Sequence, residues 1–347
     1  MAYTTIDDPS AHFQTALWTG NASSRSLTND GNSNLQPDLV WTKKRSATQN
    51  HCVTDSSRGV GNILFPDATD AESATQLLTS FDSDGFSINN NALINENSAT
   101  YVGWQWKANG GTTSSNSEGT NITSTVQANT TAGFSIVTFT GTGNDGDSYG
   151  HGLNSAPELV FPKKRSGTSN WQGYAFDGGN SQYFYLNLTN AFASTSGNSA
   201  ASSSSVITTD GSGDSNPSGG TVVSYCFHSV QGYSKIGRYT GNGNADGPFI
   251  YTGFKPAWVM IKKSGSGTAA HWRISDSTRS TFNPADHQLS PSSNGAEFNE
   301  NDMDLLSNGF KIRQSNTYAN QDGVQFIYMA FAEHPFVSSE GVPTTAR

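Results

Sequence analysis

Pro37-Asp38-Leu39-Val40-Trp41-Thr42-Lys43-Lys44-Arg45 is the stretch that decides the fold, because it returns twice. The second copy is Pro157-Glu158-Leu159-Val160-Phe161-Pro162-Lys163-Lys164-Arg165 and the third is Pro256-Ala257-Trp258-Val259-Met260-Ile261-Lys262-Lys263. A proline that opens a short run of branched and aromatic residues reads as a strand. Three copies at one spacing read as a repeat architecture.

The surrounding landmarks repeat with it. An aromatic-Thr-Gly turn precedes each copy, at Trp18-Thr19-Gly20, Phe139-Thr140-Gly141 and Tyr239-Thr240-Gly241, with gaps of 17, 16 and 15 residues from the Gly to the Pro. His51, Trp171 or Trp272 follows, and then Asp55, Asp177 or Asp276, which lie 18, 20 and 20 residues beyond the Pro. Arg58 and Arg279 each stand three residues past their Asp. Each unit closes on an apolar run in constant phase, ending at Trp106, Phe227 and Phe331. Units 1 and 3 share Ser83-Asp84-Gly85-Phe86 and Ser307-Asn308-Gly309-Phe310, while unit 2 keeps only Thr209-Asp210-Gly211.

Short strands punctuated by Gly, Asn and Asp, with almost no helical period, predict an all-β chain: a tandem array of three jelly-roll or concanavalin-like β-sandwich units. The boundaries expected are an N-terminal arm at 1–17, repeat 1 at 18–107, a Ser/Thr/Gly/Asn-rich linker at 108–132, repeat 2 at 133–231, repeat 3 at 232–336 and a tail at 337–347.

Composition excludes several classes. Charged residues make up 14% of the 347, against roughly 25% in an ordinary domain. The 38 aromatics (7 Trp, 12 Tyr, 19 Phe) are enough to anchor cores, so wholesale disorder is excluded. A net charge of −9 opposes nucleic acid and anionic membranes. No apolar run approaches the ~20 residues that span a bilayer, and the first residues lack the pattern of a secretory signal. Cys52 and Cys226 are expected to be reduced thiols.

Motifs for chemistry are sparse. Gly141-Thr142-Gly143-Asn144-Asp145-Gly146 has dinucleotide spacing, but Asp147-Ser148-Tyr149-Gly150 follows instead of a helix, so it reads as a hairpin turn. No zinc, P-loop or serine-hydrolase pattern occurs, so no catalytic and no metal residue is expected. Acidic loops at Asp210-Gly211-Ser212-Gly213-Asp214 and Asn299-Glu300-Asn301-Asp302 carry oxygen ligands suited to Ca²⁺ without EF-hand spacing, and no cofactor is expected. Asp55, Asp177 and Asp276 recur once per unit, which is the behaviour of structural residues that cap turns or pair with Arg58 and Arg279. The cation runs admit two readings. In one they guard strand ends against edge pairing; in the other Lys44, Arg45, Lys164, Arg165, Lys262 and Lys263 meet an anionic ligand or an acidic neighbour. Trp41, Trp104, Trp171, Trp258 and Trp272 are further candidates for stacking on sugars, with core packing as the alternative.

Ala2-Tyr3-Thr4-Thr5-Ile6-Asp7-Asp8-Pro9-Ser10 with Phe13-Gln14-Thr15, the three repeated landmarks, and Tyr251-Thr252-Gly253-Phe254-Lys255-Pro256-Ala257-Trp258 together resemble a repeat family of tailed phages, notably marine ones. The resemblance implies a virion structural protein of the tail-fibre or capsid-associated type, assembled in the host cytoplasm and carrying no catalytic residues. The expected role is non-enzymatic host attachment through surface glycan or protein, with capsid decoration or a head fibre as the alternative and a glycan depolymerase as the second alternative. Its expected partners are other virion proteins, host surface polysaccharide and further copies of itself on the particle, with no nucleic acid and no membrane.

Overall fold

Period-two alternation along the proline-led runs decides the architecture. In the strand Leu39–Lys44, Leu39 and Trp41 enter one core and Val40 enters another. Leu159 and Phe161 part from Val160 in Leu159–Lys164, and Trp258 and Met260 part from Val259 and Ile261 in Phe254–Lys263. Strands that are buried on both faces read as continuous apolar runs. The computed structural model, which describes residues 3–176, 181–195, 200–265 and 269–343, shows what covers each face.

Every unit has an antiparallel inner sheet with one strand order: opening, closing, proline-led, return. In unit 1 these are Phe13–Thr19, Thr100–Trp106, Leu39–Lys44 and Cys52–Asp55. In unit 2 they are Phe134–Thr140, Thr221–Phe227, Leu159–Lys164 and Gln172–Ala175. In unit 3 they are Ser234–Thr240, Gln325–Pro335, Phe254–Lys263 and Arg273–Asp276. A second, smaller sheet packs on the outer face of each: Arg25–Leu27, Gly85–Ile88 and Leu78–Asp82 in unit 1, for example. The molecule is therefore built from all-β sandwiches.

The inner faces of the three sheets turn toward one another and share a single core. Trp106, Phe227 and Phe331, at matching positions on the closing strands, meet there with ring centroids 6.4, 5.7 and 6.0 Å apart pairwise. Phe13 and Trp258 complete the cluster, with Phe13 stacked on Phe331 at 5.2 Å. Each such pair adds about 0.5–1.5 kcal/mol beyond its buried area. The tandem row thus closes into a ring around a pseudo-threefold axis.

Three boundary expectations need correction. Unit 1 begins at Phe13, not residue 18, because Phe13 to Thr19 pair in register with Trp106 to Thr100. The expected linker at 108–132 supplies Ser114–Asn116 and Ser124–Asn129, which extend the inner sheet of unit 2 past its opening strand. Polar composition hid them because that edge faces solvent. The arm is also folded. Ile6 lies in the common core, Thr4 Oγ1 donates to Gln231 O at 2.8 Å, and Asp7 accepts from Ser339 N at 2.6 Å, which joins arm to tail on unit 3.

Candidate functional site

The cation runs carry the strongest repeated chemistry, and their phase explains their fate. Lys43, Lys163 and Lys262 continue the inward set begun by Trp41, Phe161 and Met260, so each ammonium is driven into the seam with the preceding unit. Lys163 Nζ donates to Thr69 O at 3.1 Å, Lys262 Nζ to Thr189 O at 2.9 Å, and Lys43 Nζ to Asn294 O at 3.3 Å. Burial disfavours the charged form and pushes Lys43 and Lys163 down to about 8 and Lys262 to about 7. The next landmark repeats the pattern. Trp171 Nε1 donates to Phe65 O at 2.8 Å, Trp272 Nε1 to Tyr185 O at 3.2 Å, and His51 Nε2 lies 3.1 Å from Ser290 O. His51 Nδ1 accepts from Trp41 Nε1, and burial holds this imidazole neutral, which assigns its proton to Nε2.

Two seams add a charged latch. Between units 1 and 2, Asp55 accepts from Arg58 N at 2.8 Å and from Arg58 Nε at 2.5 Å. Arg58 bonds Glu72 at 2.9 Å, and Glu72 holds Arg165 of unit 2 in a two-bonded fork at 2.9 and 2.8 Å. Tyr225 of unit 2 donates its hydroxyl to Asp55 at 2.7 Å. Between units 3 and 1 the same device is made by Asp276, Arg279, Glu297 and Arg45, with Trp104 Nε1 donating to Asp276 at 2.9 Å. Burial alone would raise both glutamates, but Arg165 with Arg58, and Arg45 with Arg279, hold Glu72 and Glu297 below the usual carboxylate range.

The sequence-derived site residues therefore divide. Asp55 and Asp276 do both things expected of them, capping a turn and pairing with arginine, whereas Asp177 lies outside the described residues. Arg45 and Arg165 meet an acidic neighbour, and that neighbour is another unit of the same chain. Lys44 pairs with Glu96, Lys263 donates to Gln321, and Lys164 is half-buried over Gly167. The strand-end guard reading fails because the proline-led strands are interior to their sheets. Trp41, Trp104, Trp171, Trp258 and Trp272 are all buried, so none is a sugar platform.

The two acidic stretches differ: Asn299 to Asp302 lies in the strand Phe298–Leu306, where Asp302 accepts from Asn316 through Oδ1 and leaves Oδ2 buried without a partner, whereas the first is a satisfied loop. Asp210 accepts from Tyr174, Ser215, Ser212 and Gln172, and among the described residues no group of three or more His, Cys, Asp or Glu comes together as a metal site. The void beside Trp41, Trp171 and Tyr225 is apolar and about 30 Å³, too small for an organic ligand.

A different locus was not singled out from sequence. Tyr3 of the arm, Glu158 of unit 2, Gln231 at the junction of units 2 and 3, and Lys235 and Tyr251 of unit 3 line an open cleft of about 370 Å³. Tyr3 donates its hydroxyl to Gly253 O at 2.8 Å and lies 3.1 Å from the Tyr251 hydroxyl. Glu158 accepts from Ser229 N through Oε2. Phe249, two residues before Tyr251 on the same outer strand, is exposed beside it. The available signal was a comparison of the three units at this strand. It was hidden because Ser26, Ser148 and Phe249 lie six, seven and eight residues beyond their Gly landmarks, so spacing alone misaligns them.

Fold and site define a class: an all-β protein of sandwiches closed around one core, with its repeated polar residues at the seams and an aromatic-walled cleft outside. The chain belongs to the family described as Domain of unknown function (DUF7483), whose model matches residues 8–335. No curated protein and no solved structure matches it.

Proposed function

We propose that the chain is a non-enzymatic virion structural protein, a tail-fibre-like attachment module that presents a rigid ring to host surface glycan or protein. The observation that supports this reading is where the repeated chemistry goes. The aspartates Asp55 and Asp276 are locked by arginine, the buried lysines hold backbone carbonyls, and the unit-specific residues lie on the outside. Such a frame keeps its contact loops in place without further ordering, and that lowers the entropic cost of binding. The resemblance to tailed-phage repeats points the same way.

Capsid decoration is the second reading, favoured by one feature: a pseudo-threefold ring suits a seat of local threefold symmetry. Antibody labelling and cryo-EM of purified particles, with copy number per particle, separate the two. A few dozen copies at the tail, with adsorption blocked by the antibody, is the expected result. Hundreds over the shell would move the chain to decoration, and no label on any particle would overturn both.

A further inference from the structure

The repeat supplies its own control for separating scaffold from site. The Gly-Phe landmark aligns units 1 and 3, where Leu27 lies opposite Phe86 and Ile250 opposite Phe310, and strand order matches the outer pair of unit 2, where Tyr149 lies opposite Ile207; each is a partly or fully buried pair. The residue before this pair member is Ser26, Ser148 or Phe249, and the residue after it is Thr28, Gly150 or Tyr251. Two of the three units build this outer edge from small or polar residues. The fold therefore requires no aromatic at either position. Unit 3 nevertheless places Phe249 and Tyr251 there, 46% and 50% exposed. On a strand, residues two apart share a face at a separation of roughly 7 Å. Neighbouring exposed aromatics that the scaffold does not need mark a contact surface.

The cleft beside them has the size and the polar content of a small-ligand site. Its volume is about 370 Å³, and Tyr251 forms one wall. Glu158 accepts from Ser229 N through Oε2 at 2.6 Å, and among the described residues its Oε1 has no hydrogen-bond partner and Lys235 makes no ion pair. Gln231 adds an amide with both a donor and an acceptor. An aromatic wall with one carboxylate, one ammonium and one amide around it matches a pyranose, whose C–H face packs on a ring and whose hydroxyls both donate and accept. The net charge of these groups is close to zero, which does not favour a polyanion. A peptide adding to the sheet edge would have only the three residues Phe249–Tyr251 to pair with.

We infer that the cleft between the N-terminal arm and unit 3 binds a pyranoside unit of a surface polysaccharide. The sugar face stacks on Tyr251, Phe249 extends the apolar surface just outside the cleft, and Glu158, Gln231 and Lys235 hold the hydroxyls. Tyr3, fixed to Gly253 and Tyr251, sets the position of the Tyr251 ring. The inference rests on the attachment reading and gives it a site and a ligand class.

The test uses the full chain on an array of neutral and acidic oligosaccharides, followed by calorimetry on the sugar that binds. The double variant Phe249→Ser and Tyr251→Thr installs the residues unit 1 carries, so its fold is supported by the molecule's own precedent. It should weaken binding by about tenfold or more with an unchanged melting temperature. Lys235→Gln should weaken binding by a smaller factor, and because the side chain is at the surface it decides the matter even if the double variant melts early. Full binding by both variants overturns the site and leaves attachment standing. A wild-type chain that binds no oligosaccharide, while the tail is labelled and adsorption is blocked, overturns the sugar and leaves attachment to a protein. Loss of the tail label itself is what would sink the attachment reading.

Discussion

The seam between units 3 and 1 and the seam between units 2 and 3 solve one geometric problem with opposite chemistry. Both carry the buried lysine and the ring N–H that reach backbone carbonyls of the preceding unit. At the first, Glu297 stands three residues beyond Asn294, whose carbonyl accepts from Lys43, and grips Arg45 and Arg279. At the second, the residue three beyond Thr189 is Phe192, packed on Trp272 and Phe184 with centroids 6.0 and 4.8 Å away. The partners change together. Ser264 stands where Arg45 and Arg165 stand, and Met329 where Trp104 and Tyr225 stand. At the described positions, the glutamate, the arginine and the hydrogen-bonding ring of one seam are thus replaced together by uncharged residues at the other. That is expected when the cost of desolvating charges nearly cancels their attraction, while removing one member alone is severe.

The largest effect should come from breaking a latch halfway. Arg279→Ala leaves Asp276 buried without its cation and should cost about 3–5 kcal/mol in denaturant unfolding, and Arg58→Ala should cost as much through Asp55. If Arg279→Ala changes stability by less than about 1 kcal/mol, the latch is not a working part of the seam.

Acid should then tell the seams apart. Glu72 and Glu297 have folded pKa values held below their unfolded ones by arginine, so their stabilisation is present above the unfolded carboxylate range and is lost as pH falls through the lower folded values. Hydrogen exchange, corrected for intrinsic rates, should show Ser169 N and Gln49 N, which cross the latched seams, losing protection on acidification before Ala270 N, which crosses the apolar one. Equal loss at all three would mean that the ring opens as a unit.

The smallest effect is expected on the alkaline side. The folded pKa of Lys262, about 7, lies below its unfolded value, so a cost is fully present at pH below 7 and is relieved as pH rises toward the unfolded value near 10.4. Between pH 7 and 8.5, before the buried thiols Cys52 and Cys226 begin to weigh in the unfolded chain, the wild type should gain on the order of 1 kcal/mol relative to Lys262→Met. Parallel pH profiles for the two proteins would show that the ammonium stays charged in the seam.

Much of this was legible in the chain. The threefold repeat, the strand character of Leu39 to Lys44 and its copies, and the pairing of Asp55 with Arg58 follow from period and spacing, which are local properties. The burial of Lys43 was not read, although its phase with Leu39 and Trp41 points inward, because a run of cations suggests a strand end in solvent. The cleft was not legible, because Tyr3 and Tyr251 are 248 residues apart and the arm's polar composition gave no sign that it would fold back.

By itself, then, the sequence determined the unit: alternating side chains set strands, Gly and Asn set turns, and continuous apolar runs required cover on both faces. Only the tertiary structure decided what that cover is. The second face of each inner sheet is closed by the other two units, so Trp106, Phe227 and Phe331 meet at one axis. The physical reason is that a strand's own residues state that a face is apolar but not which distant surface will bury it. That choice is made by shape and by the partners at the seams, through contacts that span most of the chain.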